Sequence, residues 1–248
     1  MYTDFASVYD RLMADVPYRD WADYYAELLK ACGVLNGPIV ECACGTGSLT
    51  VELARRFPKI TGVDLSGDML AVAMEKARKQ GLLIPMIRQD MRKLSLPRAV
   101  NAVLCTCDGV NYLTRAADVQ AFFRAAHSAL KPGGVLAFDV STPYKLSREL
   151  GACVRALTED DLAYIWQSAF DPGTALFDIR MDIFTETPSG TYERIVEEQT
   201  QRAHSREELS SWLTACGFSD IRFTGDRTMT NPGEKELRWH VMAVRSEE

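Results

Sequence analysis

The residues Glu41-Cys42-Ala43-Cys44-Gly45-Thr46-Gly47 place an acid, two thiols and two glycines at the end of a short apolar run. Glycines directly after a strand let the backbone turn sharply and let a ligand approach main-chain N–H groups that a side chain would block. The next apolar run ends in Asp64, where a carboxylate can accept hydrogen bonds from both hydroxyls of a ribose. Asp90-Met91 follow a third run. They offer an acceptor for an exocyclic amine and an apolar cover for a purine, although an aspartate there also suits a plain turn. A fourth run leads into Cys105-Thr106-Cys107-Asp108-Gly109-Val110-Asn111-Tyr112. In open α/β sheets ligands sit outside the carboxyl ends of the strands, so four successive ends converging on one crevice point to nucleoside recognition.

The elements that must position these residues alternate. Strands are expected at 38–42, 60–64, 84–88, 101–105 and 134–140, with helices at 47–57, 67–80 and 115–130 between them. In the last helix Val119, Phe122, Phe123, Ala126 and Leu130 form one apolar stripe. Strands separated by helices of this length predict a mostly parallel, doubly wound sheet covered on both faces. Ahead of it, residues 1–32 read as a helical cap of two helices separated by Pro17, with Phe5, Val8, Tyr9 and Leu12 on one face and Trp21, Tyr24, Tyr25, Leu28 and Leu29 on another. Residues 142–203 read as an antiparallel hairpin insertion, with three strand-like runs within 161–202. Phe177, Ile179, Met181 and Ile183 alternate there with Asp178, Arg180 and Asp182. Ser205-Arg206-Glu207-Glu208 has the form of a capping box opening a helix that ends at Gly217. Strands at 219–226 and 236–245 bring the sheet to seven within a single domain, residues 1–248.

Composition narrows the function. The formal charge is −6, without a run of lysines or arginines, which argues against a nucleic-acid or anionic-membrane partner. No apolar run approaches the roughly 18 residues of a membrane span, and the N-terminal residues lack the pattern of a signal peptide. Seven cysteines, an odd and scattered set, suit reduced thiols in the cytoplasm. Cys42, Cys44, Cys105 and Cys107 raise the alternative of zinc or an iron–sulfur cluster, but C-x-C at a strand end lacks the loop that wraps a metal, so no metal is expected. Of three histidines, His204 alone has a route to the crevice, where it would be a candidate general base.

These motifs resemble the class I S-adenosylmethionine-dependent methyltransferases. The resemblance rests on Glu41 to Gly47 as the first motif, Asp64 in "GVDLS" as the ribose acid, Asp90-Met91 as the adenine pair and "LKPGGVLAFDV" at 130–140. It covers residues 35–141 and implies a Rossmann-like fold, S-adenosyl-L-methionine as cofactor and methyl transfer to a nitrogen or oxygen. In one place the chain departs from the family: Ala43 stands where a glycine is usual. The resemblance implies that Tyr9, Glu41, Ala43, Cys44, Gly45, Gly47, Asp64, Leu65, Met69, Asp90, Met91 and Cys107 hold the cofactor. It implies an acceptor pocket under the insertion, with Tyr18, Trp21, Asn111, Tyr112 and Trp166 as its candidates, Trp166 serving equally well as a core residue. Tyr9 either reaches the cofactor, where it is a second catalytic candidate, or packs beside Phe5 and Leu12. Methyltransferases acting on exposed base or glutamine amides carry [ND]-P-P-[YF] after strand four. Cys107 to Tyr112 do not match it, which with the acidic balance favours a small-molecule acceptor; a monomer or homodimer is expected. Two alternatives remain: an NAD-type oxidoreductase, against which stand Thr50 in place of a third glycine and the Asp90 element, and a non-catalytic S-adenosylmethionine-binding protein.

Overall fold

The computed structural model describes residues 3–159 and 161–246. Residues 1–2 of the expected cap and 160 of the expected insertion lie outside the described residues. Two helices open the chain, α1 (Thr3–Leu12) and α2 (Tyr18–Ala31). They are followed by β1 (Ile39–Cys42), α3 (Ser48–Ala54), β2 (Ile60–Asp64), α4 (Gly67–Lys79), β3 (Met86–Arg88), β4 (Val100–Cys105), α5 (Ala116–Ala129) and β5 (Leu130–Ser141). Four antiparallel strands follow, β6 (Ala152–Thr158), β7 (Leu162–Asp171), β8 (Leu176–Glu186) and β9 (Tyr192–Arg202). Then come α6 (Arg206–Ala215), β10 (Phe218–Thr224) and β11 (Arg238–Arg245).

The main sheet has seven strands in the order β10-β11-β5-β4-β1-β2-β3, with β11 antiparallel to both neighbours and the other pairs parallel. Strand β1 is buried at all four positions because helices cover both faces. Phe122 and Phe123 of α5 and Leu213 of α6 fill one face, and Tyr25, Leu29 and Leu53 of α2 and α3 fill the other. Each of these fully buried side chains contributes ~1.5–3 kcal/mol of transfer free energy. Register pairs Cys42 with Cys105, and both thiols are buried among apolar neighbours. Ser205 and Glu208 form the capping box at the start of α6.

The second sheet runs β6-β7-β8-β9. The sequence pattern gave three of these strands and missed β6, whose residues are exposed at almost every position and so carry no inside–outside alternation. Phe177 and Ile183 of β8 point to the buried face, and α1 packs there through Phe5 and Val8. The strand expected at 84–88 shortens to 86–88, while β5 starts at Leu130 rather than 134.

Candidate functional site

The carboxyl ends of β1, β2, β3 and β4 open into a cavity of about 790 Å³, roofed by α1 and by Glu198–Thr200 of β9. Its floor begins with the turn after β1, where Ala43 (φ 53°), Gly45 (φ 54°) and Gly47 (φ 71°) adopt left-handed backbone. A Cβ on Gly47 would lie 2.8 Å from Ala73, whereas one on Gly45 would project into open space. Ala43 adopts the conformation its glycine counterpart would take freely, so this alanine holds local strain of order 1 kcal/mol.

Two carboxylates fix the turn. Asp64 accepts from the Gly45 N–H at 2.7 Å and from the Ser66 N–H at 2.9 Å. Glu41 is buried between two hydroxyl donors, Thr50 at 2.5 Å and Thr106 at 2.7 Å, and so ties α3 to the loop after β4. Burial pushes its carboxyl up to about 7 against the pull of those hydroxyls. Thr50 occupies the place of a dinucleotide fingerprint's third glycine because Glu41 requires its hydroxyl. Asp90 caps a short turn through the Arg92 N–H, and both its oxygens receive the Arg92 guanidinium, which also bonds Asp118 at 2.9 Å.

The loop after β4 rests on a buried ionic network. Cys107 (φ 53°) and Asp108 (φ 65°) are left-handed, and their N–H groups donate to Asp139 at 2.8 and 3.0 Å. Arg238 pairs with Asp108 at 2.6 Å and also with Asp139, which accepts from the Tyr25 hydroxyl at 3.0 Å. Burial pushes the Asp108 carboxyl up, but the Arg238 and Lys145 charges outweigh it and hold it at about 2. The network lies beneath the cavity, which Cys107 and Gly109 line.

Above the cavity, Asp10 of α1 accepts from Thr46 at 2.6 Å and pairs with Lys76 at 2.7 Å, fastening the cap to the β1 turn. Arg11 pairs with Asp161 at 2.5 Å, fastening the cap to the second sheet. Tyr9 stands edge-on to Phe5 at 5.5 Å and also lines the cavity. Burial raises its phenol pKa, and the hydroxyl remains a donor. Tyr112 donates to Gln199 at 2.8 Å across the opening, and the Gln199 amide donates to Glu197 at 3.2 Å.

The cavity thus gathers Tyr9, Tyr18, Glu41, Ala43, Cys44, Gly45, Asp64, Leu65, Met69, Asp90, Met91, Cys107 and Tyr112 from the sequence expectation. Gly47 packs behind the turn on Ala73. Four other candidates lie elsewhere. Trp21 is buried under the Arg238 guanidinium and beside His240. Asn111 spends its amide on Ser141 and on the Arg202 carbonyl. Trp166 packs on Phe177. His204 is fully buried, with Nδ1 facing an Arg202 N–H and Nε2 facing the Val110 carbonyl. An arginine can only donate, so Nδ1 accepts and the proton sits on Nε2. Burial, and then the Arg202 charge, lower its pKa to about 4. It is therefore a neutral strut rather than a base at the cavity. Sequence reasoning missed Arg92, Asp118 and the Glu198–Thr200 wall. Arg92 stood two residues from a predicted site residue, but the wall had no signal beyond alternation in a strand.

Residues 39–134 match the model of a methyltransferase domain family. Over 99% of this chain and 98% of its own length, the YqeM protein of Bacillus subtilis (strain 168) is 33% identical. A crystal structure of an S-adenosylmethionine-dependent methyltransferase from Clostridium acetobutylicum ATCC 824 superposes with a TM-score of 0.89 at 30% identity, covering 99% of each chain. The chain belongs to the class I S-adenosylmethionine-dependent methyltransferases. Its cofactor is S-adenosylmethionine, and the NAD-type oxidoreductase reading falls. The open space before Gly45 and the cavity volume suit such a group. Among the relatives of this methyltransferase, the dTDP-3-amino-3,6-dideoxy-alpha-D-glucopyranose N,N-dimethyltransferase of Streptomyces fradiae is 30% identical over 49% of this chain and 46% of its own length. No helix among the described residues is long and apolar enough to cross a membrane.

Proposed function

We propose that this methyltransferase acts on a nitrogen or oxygen of a small molecule, and that the cavity under α1 and β9 receives both cofactor and acceptor. The observation that carries the reading is the mixed lining of the cavity. Strand-end carboxylates line the cavity together with Tyr9, Tyr18, Tyr112 and Gln199. S-adenosylmethionine supplies a methyl group on a sulfonium with a neutral leaving group, so the protein's contribution is alignment and exclusion of water. Alignment of this kind can account for ~7–11 kcal/mol of a barrier.

Asp64 would hold the ribose hydroxyls, and Asp90 with Met91 the purine. The Ala43–Gly47 turn with Tyr9 would hold the methionine end, with Leu65, Met69 and Cys107 closing the sides. Glu41 positions the turn and the loop after β4 together, because both of its oxygens are committed to hydroxyls. The Tyr9 hydroxyl orients the acceptor as a donor, Tyr112 having given its own proton to Gln199, and an amine acceptor needs only to arrive unprotonated. The name of the Streptomyces fradiae relative favours nitrogen over oxygen, and seven free thiols suit a reducing, cytoplasmic setting. Asp64→Ala should weaken binding of S-adenosylhomocysteine by ~2–4 kcal/mol, since two hydroxyls lose a charged acceptor. Calorimetry on the folded variant checks this. Unchanged affinity would show that the ribose lies elsewhere.

A further inference from the structure

The buried network under Cys107 continues away from the cavity. Asp139, which receives the Cys107 and Asp108 N–H groups, also accepts from the Tyr25 hydroxyl at 3.0 Å. Next to Tyr25 stands His240 of β11, with Nδ1 3.2 Å from the same hydroxyl and Nε2 3.5 Å from Oδ1 of Asp226. The imidazole is fully buried among Trp21, Tyr24 and Tyr25 of α2, while the Asp226 side chain reaches the surface. Asp226, His240, Tyr25 and Asp139 thus run in file from solvent to the cavity wall.

The protons along this file can be placed one by one. A phenol has a single proton to give. Burial, and then the Asp139 charge, raise the Tyr25 pKa, so the hydroxyl keeps its proton and gives it to Asp139. Nδ1 of His240 therefore donates to the Tyr25 oxygen. Nε2 and the Asp226 Oδ1 it faces are both buried, and neither makes a hydrogen bond elsewhere. A bare Nε2 would set its lone pair against a carboxylate oxygen, whereas a protonated one forms an ion pair. His240 above all holds the Asp226 carboxyl below the usual carboxylate range. The other charges nearby are already placed. Arg238, two residues along β11, is divided between Asp108 and Asp139, the latter opposite His240 on β5. Arg227 lies at the other oxygen of Asp226, and Glu236 accepts the Asp226 N–H. Tyr24 shares its hydroxyl with Thr224 of β10.

Resting on the placement of the cofactor beside Cys107, we infer that His240 is a positioning residue for cofactor binding, acting through Tyr25 and Asp139 on the 106–109 loop while it is doubly protonated. In that state Nδ1 donates to Tyr25, and the Tyr25 proton is free to serve Asp139. As pH rises the imidazolium releases one proton to water. The Asp226 carboxylate retains the proton on Nε2, so Nδ1 is the nitrogen left bare. It becomes an acceptor and draws the Tyr25 proton to itself, and Asp139 loses a donor. The left-handed backbone at Cys107 and Asp108, fastened by Asp139, is then held less firmly. Cofactor affinity falls with it.

The test uses the full chain with isotope-labelled histidine between pH 5.5 and 9, and S-adenosylhomocysteine as the binding probe. The ring-nitrogen NMR signals of His240, assigned by their loss in His240→Gln, should pass from imidazolium to the Nε2–H tautomer as pH rises. Over the same range, calorimetric affinity should fall about fivefold further in the parent than in Tyr25→Phe, the worth of one hydrogen bond. Titration of Glu41 contributes alike to both proteins and cancels in the comparison. Asp226→Asn removes the charge that favours the imidazolium, so it should move both changes to lower pH. Being a surface substitution, it also covers the case in which the Tyr25 variant does not fold. An Nδ1–H tautomer at high pH, a His240 that keeps one protonation state throughout, equal pH dependence in parent and Tyr25→Phe, or no displacement by Asp226→Asn would each overturn the inference. The tautomer is read without cofactor, while Asp64→Ala reports where the cofactor sits, so failure here and failure of that placement are distinguishable.

Discussion

The floor of the cleft and its roof are built in different ways. The floor consists of turns at the ends of adjacent parallel strands, and its decisive contacts are backbone N–H groups on Asp64 and Asp139. The roof consists of side chains from α1 and β9, joined to the rest by contacts such as Asp10 to Lys76, Arg11 to Asp161 and Gln199 to Tyr112 of the floor's last loop. The floor is committed by buried charge, where a lost partner leaves a full desolvation penalty. The roof is held by half-exposed pairs that solvent weakens. A cleft with a rigid floor and a loosely fastened roof can keep its cofactor geometry while the roof opens for the acceptor.

The largest expected effect breaks the floor. Arg238→Ala leaves Asp108 and Asp139 as buried, unpaired carboxylates and should cost ~3–5 kcal/mol of stability. Urea unfolding measures it, and a loss below 1 kcal/mol would show that the network is not what holds the 106–112 loop.

Glu41 provides a smaller and pH-dependent test of the same floor. Its folded-state pKa is raised to about 7, so the native state binds its proton more tightly than the unfolded chain does. The resulting stability is fully present below the ordinary glutamate pKa and is lost as pH rises through about 7. Glu41→Gln should remove roughly 2–3 kcal/mol of that decline, read from urea midpoints between pH 4.5 and 7.5. Parallel curves for parent and variant would refute this. The smallest effect belongs to the roof. Tyr9→Phe keeps the contact with Phe5 and removes one hydroxyl, so it should cost about 1 kcal/mol in cofactor affinity with no change in stability. Amide exchange in residues 5–16 should slow on adding S-adenosylhomocysteine, and equal protection with and without it would make α1 a fixed scaffold.

The floor was legible in the sequence and most of the roof was not. Glu41, Gly45, Asp64, Asp90 and Cys107 were found because each lies at the end of a strand or within three residues of it, and a strand is recognisable from local pattern. Trp21, Asn111 and His204 lie away from the cavity for the opposite reason, and Trp166 takes the core place that was its equal alternative. An aromatic or amide beside a site motif looks the same whether it faces the cavity or the core, and burial alone separates the two. Strand β6 escaped because an exposed strand has no hydrophobic period to show.

What the sequence by itself determined was the alternation of strands and helices, the glycine turn and the acids at the strand ends. These depend on interactions within a few residues, so their spacing survives in one dimension. The tertiary structure alone decided that Arg238 would neutralise Asp108 and Asp139, which precede it by 130 and 99 residues. It also decided that Gln199 would meet Tyr112, 87 residues away. Such pairs are set by the sheet order, in which β11 is inserted between β10 and the distant β5. A side chain's partner, and therefore its charge and its role, follows from that packing.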